Sequence, residues 1–183
     1  EDSGSLKPHL NGGNMGLMLS GLVFRPPKKP SYTRENWTVV NTSSDGKALA
    51  IDLDLQYEVT VLFLHGNAED AGMVGRYFRN TLCSKLKVNG FIPEYPGYGL
   101  LRESKPSESG VFRAAMSAYD FLTKKKGVSP QNIVVYGRSL GSAPAIHLAS
   151  GYGGDEGKAP QLRGLILQSP FLSIYRAAYP SIR

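Results

Sequence analysis

The chain has 183 residues with a formal net charge of +6, 41% hydrophobic residues and 20% charged residues. This length predicts a single domain, and the composition is ordinary for a globular protein. Because Cys83 is the one cysteine, an internal disulfide is excluded. No recognition motif accompanies the positive charge, so nucleic acid is not an expected partner, whereas peripheral contact with an anionic membrane surface stays open.

The first part of the chain divides into a leader and the start of a β-rich segment. Residues 1–30 are polar and Pro-rich and are predicted to form a mobile leader, and residues 31–183 to form the N-terminal part of one domain. Segments 38–40 and 48–53 flank the turn signal Ser-Asp-Gly-Lys at 44–47, and so predict a β-hairpin.

Beyond the hairpin, short apolar strands alternate with helical patterns. The unbroken apolar run 59–64 is typical of a central strand buried on both faces. In chain order the later elements are predicted as helix 73–86, strand 91–93, helix 111–126, strand 133–136, helix 140–150 and strand 165–167. This alternation predicts an α/β fold with a mostly parallel sheet, right-handed crossovers and helices on both faces.

The pentapeptide Gly137-Arg138-Ser139-Leu140-Gly141 fits the pattern G-x-S-x-G and lies directly between a predicted strand and a predicted helix. That setting is typical of a nucleophile elbow, in which a strained backbone lifts the serine hydroxyl clear of the sheet. Glycine is needed two residues to either side of the serine because a side chain there would clash. The sequence therefore predicts Ser139 as a catalytic nucleophile, with Gly137 and Gly141 shaping its turn.

A second signal, His65-Gly66-Asn67-Ala68, follows the long buried strand. Acyl transfer requires backbone N–H groups directed at the oxygen on which negative charge develops. In proteins with a nucleophile elbow of this kind, one N–H comes from the residue after the nucleophile, here Leu140. The other comes from the loop after the third strand, here Asn67. His65 and Gly66 are predicted to shape that loop.

None of the three histidines has the position of a general base. His9 lies in the polar leader, and His65 precedes the nucleophile, whereas the base of this fold follows it in chain order. His147 lies eight residues beyond Ser139 on the same predicted helix, too far along the axis to bond with its hydroxyl.

Six segments share their order and spacing with a known group of proteins; they are residues 24–27 (FRPP), 65–70 (HGNAED), 95–99 (YPGYG), 105–108 (KPSE), 133–144 and 169–171 (SPF). In these segments the chain resembles the α/β-hydrolase-domain serine hydrolases that include acyl-protein thioesterases, the enzymes that remove palmitate from cysteine. The resemblance implies an α/β-hydrolase fold, hydrolysis through an acyl-serine intermediate, and no cofactor or metal ion. It assigns Ser139 as nucleophile and Asn67 and Leu140 as oxyanion donors.

The sequence departs from the family pattern at two places. Glu94 precedes the Tyr-Pro-Gly-Tyr-Gly turn where the family usually has aspartate. The catalytic acid and histidine should follow the nucleophile, but Asp155 and Glu156 are the only carboxylates after Ser139, and no histidine follows His147. The chain is therefore expected to stop before its catalytic acid and histidine, with the C-terminal strands of the fold missing.

These observations favour a serine hydrolase that cleaves ester or thioester bonds, with lipidated proteins among its expected substrates. A serine peptidase or lipase is the alternative among enzymes, because this fold hosts all three chemistries. A non-catalytic interaction module is the alternative from another class, if the chain naturally ends at Arg183. A cytoplasmic or peripheral membrane location is favoured.

Overall fold

A six-stranded sheet forms the centre of the computed structural model, which describes residues 23–151 and 159–170. The strands are β1 Val39–Asn41, β2 Leu49–Leu53, β3 Thr60–Leu64, β4 Asn89–Pro93, β5 Ile133–Arg138 and β6 Gly164–Gln168. They lie in the order β1-β2-β4-β3-β5-β6; β1, β2 and β4 pair antiparallel, and β4, β3, β5 and β6 pair parallel. The predicted hairpin and the mostly parallel sheet are confirmed.

The α-helices are α1 Ala71–Tyr77, α2 Ser84–Leu86, α3 Glu108–Asp120 and α4 Ser142–Ala149. Two π-helical turns extend them: one between α1 and α2, and one after α3. The first helix begins at Ala71, two residues before the predicted start, because the Asp70 carboxylate caps it by accepting from the Met73 N–H at 2.9 Å. Within residues 23–151 and 159–170, no helix is both long enough and apolar enough to cross a membrane.

Apolar side chains are buried on both faces of the sheet. On one face, Phe78 packs against Ile51 and Phe63, in one cluster with residues of α1. On the other face, residues of α3 and α4 cluster with Leu62 and Val135. All five residues of β3 are buried, which is the reason that its sequence is an almost unbroken apolar run.

The last residues of the predicted leader pack against the domain. Phe24 is 7% exposed and clusters with Tyr95, Tyr98 and Leu140, and Val23 packs against the same cluster. The packed domain therefore includes residues before the predicted boundary at residue 30, whereas residues 1–22 lie outside the described part.

The ends of β3 and β5 meet at one edge of the sheet. These neighbouring strands run parallel, and Leu64 at the end of β3 pairs with Gly137 near the end of β5. The segments that follow them, residues 65–70 (the oxyanion loop) and 137–141 (the elbow), therefore lie side by side. This is the edge at which open α/β sheets bind ligands.

Candidate active site

Ser139 occupies a sharp turn between β5 and α4. Its φ is +48°, in the left-handed region that residues with a side chain rarely adopt. A Cβ on Gly137 would lie 2.6 Å from the carbonyl oxygen of Gly141, and a Cβ on Gly141 would lie 2.0 Å from the carbonyl oxygen of Leu64. The elbow thus has the strained, glycine-flanked geometry that its sequence pattern predicts.

The oxyanion loop lies directly against the elbow. A Cβ on Gly141 would also lie 2.9 Å from the His65 carbonyl oxygen, and a Cβ on Gly66 would lie 3.7 Å from the Arg138 carbonyl oxygen. Backbone therefore packs closely on backbone where Gly141 meets His65, and the two segments are in ordinary van der Waals contact where Gly66 meets Arg138. The structure brings together the segments that carry Asn67 and Leu140, the two predicted oxyanion donors.

The side chain of Asn67 is held by hydrogen bonds. Its Oδ1 accepts from the Tyr98 hydroxyl at 2.6 Å and from the Arg25 backbone N–H at 2.8 Å. Its Nδ2 donates to the carbonyl oxygen of Val23. The amide thus ties the chain entering the domain to the oxyanion loop.

His65, the first residue of the oxyanion loop, forms a fully buried pair with Glu94. Nε2 of His65 hydrogen-bonds with Oε1 of Glu94 at 3.0 Å, and Nδ1 donates to the carbonyl oxygen of Gly66 at 2.9 Å. The other carboxylate oxygen of Glu94 accepts from the Tyr32 hydroxyl at 2.9 Å. Since both ring nitrogens of His65 are engaged, this imidazole shapes the loop, and it is not placed to act as a general base.

Three buried tyrosines surround this pair. Burial and the nearby Glu94 carboxylate raise the pKa of Tyr32 and of Tyr95 above the ordinary value for tyrosine. Burial likewise raises the pKa of Tyr98. The three hydroxyls therefore remain protonated donors; that of Tyr95, for example, donates to the carbonyl oxygen of His65 at 3.1 Å.

Comparison with known proteins gives relatives of one kind, although no family model matches the chain. Alpha/beta hydrolase domain-containing protein 17C of Mus musculus is 38% identical over 124 residues, which are 68% of this chain and 36% of the relative. Protein 17B of the same series from Homo sapiens is 33% identical over 198 residues, covering 92% of this chain and 65% of the relative. The chain thus spans little more than a third of the 17C relatives that it matches.

Solved structures give the same result. An alpha-beta hydrolase of Vibrio vulnificus superposes with a TM-score of 0.62 and 24% identity, covering 95% of this chain and 62% of that protein. The chain belongs to the α/β-hydrolases. A hormone-sensitive lipase from a metagenome library superposes with a TM-score of 0.54 and 18% identity, over 90% of this chain and 52% of that protein. At these identities the structural likeness concerns the fold alone.

Two charged residues connect the oxyanion loop to the elbow, and the sequence did not predict their pairing. The Glu69 carboxylate accepts from the Gly66 backbone N–H and from Nε of Arg138, the latter at 2.8 Å. A terminal guanidinium nitrogen of Arg138 contacts the second Glu69 oxygen. The two residues are 69 positions apart, so no local pattern predicts the pair.

Within the described residues, neither histidine is placed to act as a general base for Ser139, the predicted nucleophile. His65 is engaged on both nitrogens, and the His147 ring packs edge-on against Phe112 of α3, with 4.7 Å between ring centroids. His9, Asp155 and Glu156 lie outside the described residues. Within the described ranges, no group of three His, Cys, Asp or Glu side chains is placed to hold a metal ion.

A cavity of 680 Å³ lies beside α3. Its lining includes Lys47 of the hairpin turn, Lys105 in the segment before α3, Arg113 and Met116 of α3, and His147 of α4. Ser139 does not line this cavity. We therefore place the candidate active site at the elbow, where the backbone geometry fits acyl transfer.

Proposed function

We propose that this hydrolase cleaves ester or thioester bonds by attack of the Ser139 hydroxyl, through an acyl-serine intermediate, and that lipidated proteins are its substrate class. The observation that carries the proposal is the elbow: a serine at φ +48° between two glycines that have no room for a side chain. The oxyanion loop beside it supports the same chemistry.

In the proposed reaction, the Ser139 oxygen attacks the carbonyl carbon of the acyl group. The negative charge that develops on the carbonyl oxygen is stabilised by the backbone N–H groups of Asn67 and Leu140. Collapse of the tetrahedral intermediate breaks the bond to the leaving alcohol or thiol, and water then hydrolyses the acyl-serine. The base that takes the serine proton comes, in this proposal, from polypeptide outside the described residues, since neither described histidine is placed for it.

The resemblance to acyl-protein thioesterases supports palmitoyl-cysteine as the bond that is cleaved. A thiolate leaves more readily than an amine, so a thioester needs less help at the leaving group than a peptide bond does. A serine peptidase or lipase of the same fold remains the alternative, and a set of matched acyl thioesters, esters and amides distinguishes them.

The test is the intact mass of the full-length protein before and after a fluorophosphonate probe. We expect one adduct on the wild type and on Ser150→Ala, a control at the exposed end of α4, and none on Ser139→Ala. An adduct that persists in Ser139→Ala would show another nucleophile. A folded wild type that forms no adduct would favour the non-catalytic interaction module.

A further inference from the structure

We propose that Glu69 and Arg138 are a positioning pair, whose ion pair holds the oxyanion loop at the correct distance and angle from the elbow. The inference rests on the proposed function and adds to it two residues that bind no substrate. Glu69 lies two positions after Asn67, and Arg138 directly precedes Ser139. The pair therefore joins the two segments that carry the oxyanion donors.

The contacts of Glu69 fix the oxyanion loop from within. Its carboxylate accepts from the Gly66 N–H, while the Gly66 carbonyl oxygen accepts from Nδ1 of His65 at 2.9 Å. That carbonyl and the N–H of Asn67 belong to one planar peptide unit, so fixing the carbonyl also fixes the direction of the N–H. Both backbone groups of Gly66 are thereby hydrogen-bonded, the N–H to Glu69 and the carbonyl oxygen to His65.

The contacts of Arg138 fix the same carboxylate to the elbow. Nε donates to Glu69 at 2.8 Å, and a terminal nitrogen contacts the second carboxylate oxygen, which is the forked pairing that a guanidinium allows. The guanidinium carbon also lies 5.4 Å from the ring centroid of Phe63 in β3. Since the Glu69 and Arg138 side chains are only 16% and 30% exposed, water screens this pair less than a surface pair.

A second ion pair of the chain offers a matched control. Lys126 donates to Asp52 at 2.7 Å and to Asp54 at 3.0 Å, and it joins the end of the α3 region to the β2 strand. Its side chain is 23% exposed, similar to that of Arg138. These residues contact neither the oxyanion loop nor the elbow in any hydrogen bond between described residues, so losing this pair should affect stability without affecting catalysis.

The experiment measures steady-state hydrolysis of p-nitrophenyl butyrate by the full-length protein and its variants, together with the thermal midpoint of each. Glu69→Gln keeps an oxygen for the Gly66 N–H and removes the charge that Arg138 needs. We expect its kcat to fall about 10- to 100-fold with KM changed less than about 3-fold, because oxyanion donors act on the transition state. Asp52→Asn should lower the thermal midpoint and leave kcat at the wild-type value.

Two variants of Arg138, Arg138→Lys and Arg138→Gln, keep the test decisive if Glu69→Gln fails to fold. Arg138→Lys retains the positive charge without the fork, so its kcat should lie between those of the wild type and of Arg138→Gln. Where Glu69→Gln does fold, the double variant Glu69→Gln/Arg138→Gln should be no slower than its slower parent, because both changes remove one interaction. Wild-type kcat in Glu69→Gln or Arg138→Gln would overturn the pair while leaving the nucleophile in place. If Ser139→Ala hydrolyses the ester at the wild-type rate, the proposed function and the pair both fail.

Discussion

Single atoms limit what the elbow tolerates, and Gly141 is the most constrained position. We predict that Gly141→Ala cannot retain the present turn, because its Cβ would lie 2.0 Å from the carbonyl oxygen and 2.4 Å from the carbonyl carbon of Leu64. Both atoms belong to backbone at the end of β3, which cannot move without disturbing the sheet. Labelling of Ser139 by the fluorophosphonate probe should be lost, and the free energy of unfolding should fall by about 1–3 kcal/mol or more.

Gly164, at the start of β6, is the matched control for this prediction. A Cβ there would have no atom within 4 Å. Gly164→Ala should therefore stay within about 0.5 kcal/mol of the wild type and label normally. If Gly141→Ala were as stable and as reactive as Gly164→Ala, the close packing of the elbow on β3 would not be a property of the protein in solution.

At the scale of elements, helices α1 and α3 both begin with a capping side chain, but the two caps differ in how many hydrogen bonds they accept. Asp70 accepts from the Met73 N–H at 2.9 Å and also from the backbone N–H of Ser31 at 2.7 Å and the hydroxyl of Ser31, and it is fully buried. Ser107 caps α3 by accepting from the Gly110 N–H at 3.1 Å. Asp70 therefore joins a helix start to a distant loop, whereas Ser107 serves its own helix.

We predict that Asp70→Ala lowers the free energy of unfolding by about 2–4 kcal/mol, since it removes a cap and leaves the Ser31 donors unsatisfied. Ser107→Ala should cost about 1 kcal/mol, the usual loss for one cap. Urea denaturation of both variants measures the two values. Equal losses would mean that the bonds from Ser31 to Asp70 contribute nothing to stability.

For the whole molecule, the buried tyrosines make the free energy of unfolding depend on pH in the alkaline range. The pKa values of Tyr32, Tyr95 and Tyr98 are raised in the folded protein, while in the unfolded chain each hydroxyl ionises near pH 10. Above that pH the unfolded state loses protons that the folded state retains, so the free energy of unfolding falls as pH rises.

Urea denaturation between pH 8 and pH 11.5 tests this dependence. We expect a constant stability up to about pH 9.5 and then a decline of up to about 1.4 kcal/mol per pH unit for each buried tyrosine. Tyr95→Phe should show a shallower decline, because one titrating group is gone. A stability that stays constant to pH 11.5 in the wild type would contradict the raised pKa values.

The sequence predicted those features of this molecule whose signals are local. Strand β3 is an apolar run because both its faces are buried, and the elbow is a pentapeptide that needs only its flanking strand and helix to be recognised. The start of α1 was predicted two residues late, because the apolar periodicity does not mark the cap, which is the local bond from the Met73 N–H to Asp70. The two π-helical turns were not predicted, because the apolar periodicity of the sequence does not distinguish them from α-helix.

Contacts between distant segments could not be predicted from one sequence. Glu69 and Arg138 are 69 positions apart, and Asn67 and Arg25 are 42 apart. These residues meet because β3 and β5 are neighbours in the sheet and because Phe24 packs into the domain. Sequence spacing located the nucleophile and the loop, but the side chains that hold them relative to each other depend on strand order.

The bonds from Asn67 to Val23 and Arg25 affect how this protein should be produced. Composition suggests discarding the Pro-rich start and expressing the chain from about residue 31. A recombinant form trimmed there would keep the bond from Tyr98 to Asn67 but lose the two backbone partners at residues 23 and 25, along with the Phe24 side chain that packs on Leu140. Low turnover in such a shortened preparation would then reflect where the gene was cut rather than the chemistry of Ser139.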